Sequence, residues 1–273
     1  MTINCKGELI DFSSPKVMGV LNITPDSFYD GGRFTNEKEI LHQTEKMLTE
    51  GATFIDVGAY SSKPGATHIS EDEELKRIIP AITAILKEFP KTIISVDTFR
   101  SNVAKETIAN GAALINDISG GTLDERMFET VAMLQVPYIL MHMKGTPQNM
   151  QKNPTYENIT TELISFFANQ IFKLHQLQIK DMVIDVGFGF GKTIEHNYEL
   201  LKNLKLFKNL DVPILAGVSR KSMLYKPLGL SPKEVLNATT SANTIALLNG
   251  ANILRVHDVK EAVEAINIVN LLN

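Results

Sequence analysis

The stretch Met182-Val-Ile-Asp-Val-Gly-Phe-Gly-Phe-Gly-Lys-Thr193 concentrates groups that could do chemistry. An apolar run, Met182 to Ile184, reads as a strand buried on both faces, and Asp185 follows it at once. A carboxylate at the C-terminal end of such a strand points to where α/β proteins bind ligands. Gly187, Gly189 and Gly191 would let backbone approach a flat ligand, and Phe190 beside them could cover its face. The spacing is one residue short of a phosphate-binding P-loop, and Lys192 stands where a dinucleotide fingerprint needs glycine. The plainer reading is a strand-to-helix loop whose Asp185 caps the next helix.

Other strand-like runs end on polar groups too. Asn22, Asp56, Asp97, Asn116, His142, Ser219 with Lys221, and Arg255 with His257 each stand at or just past such a run. Singly, each is ordinarily a loop residue or a helix cap. Together they would put three carboxylates and two asparagines around one cavity, with cations on one side. Arg255 and His257 share a side by alternation, so both can donate to one phosphate group. Gly217-Val-Ser-Arg-Lys221 adds an ammonium and backbone N–H groups. Ser61, Ser62 and Lys63 in the second loop suit an anion, and the first loop, with Phe28 and Asp30, reads as a substrate-covering lid or a connector. His142 is given no role. No Cys/His cluster has zinc-ligand spacing.

These residues need a frame that brings strand ends together. The strands predicted are Val17–Leu21, Thr53–Val57, Thr92–Val96, Ala113–Ile115, Pro137–Met141, Met182–Ile184, Pro213–Ala216 and Asn252–Leu254. Helical patterns lie between them. Asn36 and Ser101 are expected to cap two, Pro232 to start one that Gly250 ends, and Pro80 to kink or split the helix after Glu71. Segment 157–178 has helical spacing with Gln170 as its polar break. Eight alternating units favour a closed (β/α)8 TIM barrel, with a short hairpin over residues 2–12 in front of it. An open doubly wound sheet is the fallback, but no glycine fingerprint follows the first strand.

The chain has 273 residues, 44% hydrophobic, and a net charge of -4, enough for one barrel domain spanning 1–273. The charge gives no nucleic-acid footprint. One cysteine, no apolar signal core and no long apolar span lead to the expectation of a cytoplasmic protein without a membrane partner.

Eight motifs occur in order: Asn22-Ile-Thr-Pro-Asp-Ser-Phe28, Asp56-Val-Gly58, Asp97, Ile115-Asn-Asp-Ile-Ser-Gly-Gly121, Met141-His-Met-Lys-Gly-Thr-Pro147, Asp185-Val-Gly-Phe-Gly-Phe-Gly-Lys192, Gly217-Val-Ser-Arg-Lys-Ser222 and Arg255-Val-His-Asp-Val259. From about Val17 to Val259 the chain resembles the dihydropteroate synthases, folate-pathway enzymes inhibited by sulfonamides. The resemblance implies joining p-aminobenzoate to a dihydropterin diphosphate, with loss of diphosphate through a cation-like pterin. It implies pterin contacts from Asp97, Asn116, Ile118, Met141, Asp185, Phe190, Gly217 and Lys221. Asn22, Ser61, Ser62, Arg255 and His257 would hold diphosphate, with Mg2+ on Asn22. Asp30 would ligate that ion or stabilise the cation. Phe28, Lys63, Pro64, Phe190, Ser219 and Lys221 would shape the aminobenzoate pocket. It also implies a homodimer, for which Ile245, Leu247, Leu248, Ile266, Ile268 and Val269 form an apolar stripe. A helix packed on its own barrel is the commoner meaning of such a stripe.

The chain departs from the family in the second loop. Where the family has Gly-Glu-Ser-Thr-Arg-Pro-Gly, this sequence has Ala59-Tyr-Ser-Ser-Lys-Pro-Gly65. Tyr60 puts a phenol in place of an acid, and Lys63 loses the planar fork of arginine. The expectation is altered handling of the aminobenzoate carboxylate or of sulfonamides. Val186, where the family usually has proline, should change little. A methyltetrahydrofolate-dependent methyltransferase would share the pterin edge but has no use for a diphosphate cluster. A non-catalytic homologue should have lost polar strand ends.

Overall fold

The computed structural model describes residues 1–23, 33–61 and 68–272, with backbone alone for 33–36. Phe28, Asp30, Ser62, Lys63 and Pro64 lie outside the described residues. Strands β1 (Thr2–Cys5) and β2 (Glu8–Asp11) pair antiparallel as a hairpin. Lys6 and Gly7 both take positive φ in its two-residue turn.

Eight parallel strands then close into a barrel: β3 (Lys16–Asn22), β4 (Phe54–Gly58), β5 (Ile93–Asp97), β6 (Leu114–Asp117), β7 (Tyr138–Met141), β8 (Met182–Asp185), β9 (Ile214–Ala216) and β10 (Ile253–Val256). Neighbours follow sequence order, and β10 pairs with both β9 and β3 to close the ring. All eight expected strands are present within about two residues of their expected bounds.

Strand alternation sorts the barrel interior into layers. Met18, Phe54, Leu114, Ile139, Val183, Leu215 and Ile253 are buried together and packed against Ile3, Cys5, Ile10 and Phe12 of the hairpin segment. The hairpin is thus a hydrophobic plug for the bottom of the barrel. Two residues further along six of those strands, on the same face, stand Asp56, Asn116, Met141, Asp185, Gly217 and Arg255. Asp97 lies one alternate step above the buried Ser95. The inward face therefore changes from apolar to polar within one strand repeat.

Helices α1 (Arg33–Thr49), α2 (Glu71–Glu88), α3 (Ser101–Ala109), α4 (Met127–Leu134), α5 (Ile159–Gln176), α6 (Ile194–Asn203), α7 (Ser222–Leu228), α8 (Leu236–Leu248) and α9 (Val259–Asn270) surround the strands. Buried aliphatic side chains fill the space between the two rings. Several expected helix boundaries move. α1 already runs at Arg33, which leaves Asn36 inside its first turn. Ser101 is the first residue of α3, and its N–H donates to Asp124 Oδ2 at 2.8 Å, so the cap comes from a distant loop. Residues 231–234 form a turn closed by the Ser231 hydroxyl on Glu234, and α8 starts four residues after Pro232. α2 runs unbroken through Pro80, held on both sides by buried Ile78, Ala81, Ile82 and Ile85. In α5, Gln170 is buried and donates to Gly120 O at 2.8 Å.

Candidate active site

The C-terminal end of the barrel gathers the polar strand ends. Strand register places Asn22 beside Gly58, Gly58 beside Asp97, and Asp97 beside Asn116. Met141 lies beside Asp185 in the same way. A Cβ built on Gly217 would fall 3.8 Å from Lys221 Nζ, 3.8 Å from Arg255 Cβ and 3.9 Å from Asp185 Oδ2. One cup therefore holds Asn22, Asp56, Asp97, Asn116, Asp185, Gly217, Lys221 and Arg255.

Arg255 ties the acidic wall together. Its Nε donates to Asp56 Oδ2 at 2.6 Å and its Nη2 to Asp97 Oδ2 at 2.7 Å. Asn116 Nδ2 adds a bond to Asp56 Oδ2 at 3.0 Å. Arg255 Nη1 has no partner among the described residues, so an N–H pair remains for a ligand. Burial pushes the Asp97 carboxyl up, against the pull of Arg255. The sequence put Arg255 in the cup but gave no role to Asp56, which orients it.

Asp185 is not a helix cap. Thr193 caps α6 by accepting the His196 N–H at 3.2 Å. Asp185 Oδ1 accepts the Gly187 N–H at 2.7 Å, and Oδ2 has no partner among the described residues. All three alternating glycines take positive φ, and close contact adds to this at Gly187 and Gly191. At φ +68, Gly187 passes so close to β7 that a Cβ would lie 2.1 Å from His142 O. No L side chain fits there. Burial raises the Asp185 carboxyl, while Lys221 opposes that.

Beside the acids lies an apolar slot. Ile118, Met141, Met143 and Met150 are buried as a separate cluster, with Phe99 and Phe190 packed on it. Lys221 Nζ donates to Phe188 O at 2.5 Å and lies 4.8 Å from the Phe190 ring centroid. Burial holds its ammonium down to about 8. Buried Lys192, also unassigned from sequence, donates to Phe190 O at 2.9 Å and His142 O at 3.2 Å. It contacts His142 Nδ1 at 3.1 Å as well, so His142 is a packed, neutral strand-end imidazole.

His257, exposed at the rim, packs on the buried Ser219. Its N–H donates to Ser219 Oγ at 3.2 Å, and its Nδ1 lies 3.0 Å from the same oxygen. Desolvation and then the Arg255 charge keep the imidazole below its ordinary range. Ser61 is half-buried just past β4, and among the described residues it bonds to neither Arg255 nor His257.

Two acceptors in the cup, Asp56 Oδ1 and Asn116 Oδ1, are buried without a hydrogen-bond partner. Such atoms are costly unless a ligand brings donors. A (β/α)8 barrel whose mouth sets carboxylates beside an aromatic- and Met-lined slot is an enzyme scaffold for a flat, donor-edged heterocycle. The family described as pterin binding enzyme matches residues 18–257, and the chain belongs to it. Its relatives include the dihydropteroate synthase of Escherichia coli, 42% identical over 98% of this chain and 95% of its own length. A Yersinia pestis dihydropteroate synthase solved with a sulfonamide drug superposes with a TM-score of 0.92 at 42% identity, covering 100% of this chain and 99% of that one. A Xanthomonas albilineans dihydropteroate synthase in complex with 7,8-dihydropteroate gives 0.89 at 33% identity, covering 100% and 98%.

Proposed function

We propose that the chain is a transferase of folate biosynthesis, a dihydropteroate synthase. It condenses 6-hydroxymethyl-7,8-dihydropterin diphosphate with p-aminobenzoate and releases diphosphate. The observation that carries this is an acceptor set beside an apolar slot: Asn116 Oδ1 is buried without a partner, and the carboxylate of buried Asp185 bonds through Oδ1 alone among the described residues. A pterin offers an amidine-like edge of N–H donors, which a carboxylate matches bidentately. Asp185 accepts that edge, Asn116 and Asp97 complete the pairing, and Gly217 lets the ring lie close. Ile118, Met141 and Phe190 cover its faces.

Departure of diphosphate leaves positive charge on the pterin methylene. The acids of the cup face that charge, while Arg255 Nη1 and His257 face the leaving anion. Ser61 and Ser62 would add hydroxyls on the same side. Rate then comes from electrostatic preorganisation and exclusion of water. The arylamine attacks as its free base and needs little general-base help. Ser219, Lys221 and Phe190 shape its pocket, with Phe28, Lys63 and Pro64 contributed by the two early loops, while Asp30 would ligate the ion or stabilise the cation. Among the described residues no three His, Cys, Asp or Glu side chains gather as a metal site. The donor chemistry fits Mg2+ carried mainly by diphosphate and water, with the Asn22 amide oxygen as a hard ligand. Bound there, the ion would neutralise charge on the leaving group.

The test is diphosphate release measured with and without p-aminobenzoate and Mg2+. Release that depends on both, with dihydropteroate formed, is expected. Absence of the condensed product would overturn the reading. Lys221 gives it a pH signature. Its ammonium donates to the pterin only while protonated, so pterin affinity should fall as pH rises through about 8. In Lys221→Met binding should be weaker below that pH, with the alkaline limb gone.

The homodimer belongs to the same proposal. The apolar stripe divides: Leu247, Ile266 and Val269 are buried on the barrel, whereas Ile245, Leu248 and Ile268 are 45%, 59% and 63% exposed. The exposed half, on the adjacent helices α8 and α9, is the surface a second copy would cover. Light scattering should give twice the chain mass, and Leu248→Glu should halve it. No described helix is long and apolar enough to cross a membrane, and we place the enzyme in the cytoplasm.

A further inference from the structure

Tyr60, the phenol where the family carries an acid, packs against residues of the heterocycle wall. It is 7% exposed and turned toward the heterocycle slot. Its ring stands edge-on to Phe99 at 5.0 Å, and Phe99 packs on the Ile118–Met141–Met143–Met150 cluster. Its hydroxyl accepts from Gln148 Nε2 at 2.8 Å and lies 3.1 Å from His68 Nδ1. Gln148 sits in a tight turn, where Met150 N donates to Thr146 O at 2.8 Å and Thr146 N to Asn149 Oδ1 at 2.7 Å. That turn delivers the buried Met150 to the slot.

Arg100 braces Tyr60 from behind. Arg100 lies 5.4 Å from the Tyr60 centroid and 5.2 Å from that of Phe99. Its guanidinium donates to the buried Glu74 at 2.6 Å and to Ile69 O at 2.6 Å. The phenol therefore links the end of β4, the residues after β5 and the loop after β7. It reaches the Met-lined cluster through Phe99 and Gln148.

We propose that Tyr60 is a positioning residue for the pterin: through Gln148 and Phe99 it fixes the Met-lined wall of the slot and so sets heterocycle affinity rather than arylamine affinity. This inference rests on the pterin reading of the cup. A side chain that touches neither substrate acts here by keeping the wall preformed, which lowers the ordering cost of binding.

Tyr60→Phe tests it, because the ring and its burial stay while both hydroxyl bonds go. Binding of a pterin lacking diphosphate is measured by calorimetry, and KM for each substrate by steady-state kinetics. Pterin affinity should fall about five- to tenfold, the scale of one or two lost hydrogen bonds. The KM for p-aminobenzoate and kcat at saturation should move less than about twofold on that scale. Gln148→Leu should weaken pterin binding in the same direction. The double variant should fall no further than Tyr60→Phe, since both changes remove one shared bond. Unchanged pterin affinity, additive losses, or a shift confined to the arylamine KM would overturn the proposal. Wild-type protein that binds no pterin would overturn the functional reading beneath it, and this inference with it.

Discussion

Replacing Asp185 by asparagine is expected to abolish pterin binding, with a loss of roughly a thousandfold or more, the scale on which a polar site rejects a mismatched edge. The amide keeps one acceptor, which the Gly187 N–H already occupies at 2.7 Å. The other position becomes an NH2 facing the N–H donors of the heterocycle. Two donors then oppose each other in a buried cup, and neither finds water. Fold stability should respond far less. Burial raises the Asp185 carboxyl, so removing its charge relieves a desolvation cost; the same removal takes a counter-charge from Lys221 and Lys192. The two effects oppose, and the melting midpoint should stay within a few degrees. Calorimetry with a pterin, beside a thermal scan, separates the outcomes. A folded Asp185→Asn protein with wild-type pterin affinity would remove the basis for assigning the cup.

The acids of that cup were legible because strand geometry makes them so. A buried strand with a two-residue period puts Val183 and Asp185 on one face, and closing the ring turns that face inward. The same rule read Asn116 after Leu114 and Arg255 after Ile253. Apolar runs were enough to place each strand, and the count of eight was enough to close them. Legibility ended where partners come from far along the chain. Asp56 and Arg255 are 199 residues apart, and Tyr60 and Gln148 are 88 apart. Sequence spacing says that a carboxylate and a guanidinium both reach the mouth; it does not say that they hold each other.

Helix ends at Gly51, Gly111 and Gly250 were legible, but several helix starts were not, for the same physical reason. Local signals named Ser101 as its own cap, but the acceptor is Asp124 in the next loop. Pro80 reads locally as a kink or a split; the split does not occur, since four buried apolar residues hold α2 together across it. The second loop is the most instructive departure. A phenol in place of an acid leads to the expectation of altered handling of the aminobenzoate carboxylate or of sulfonamides. The burial of its ring against Phe99 is a contact that loop sequence does not announce.

The Arg255→Met variant is expected to lose turnover and stability together, and a second substitution should separate the two. Arg255 is the shared counter-charge of Asp56, which is fully buried, and of Asp97. Its removal leaves two carboxylates facing each other in low dielectric, at a cost of about 3–5 kcal/mol. It also removes the charge that opposes burial at Asp97, so that carboxyl should titrate still higher and accept pterin donors only at higher pH. Diphosphate binding and pterin binding therefore do not separate cleanly in this variant, although the proposal assigns Nη1 to the anion alone. Asp56→Asn in the same background takes away one of the stranded charges while still accepting from Asn116. The double variant should recover most of the lost stability in a denaturant titration. Its affinity for pterin without diphosphate should rise toward wild type, whereas the diphosphate form should stay weak, because no guanidinium remains for the leaving group. Equal recovery of both ligands would mean that Arg255 only braces the acids, and the diphosphate would have to be held by His257 and the early loops instead.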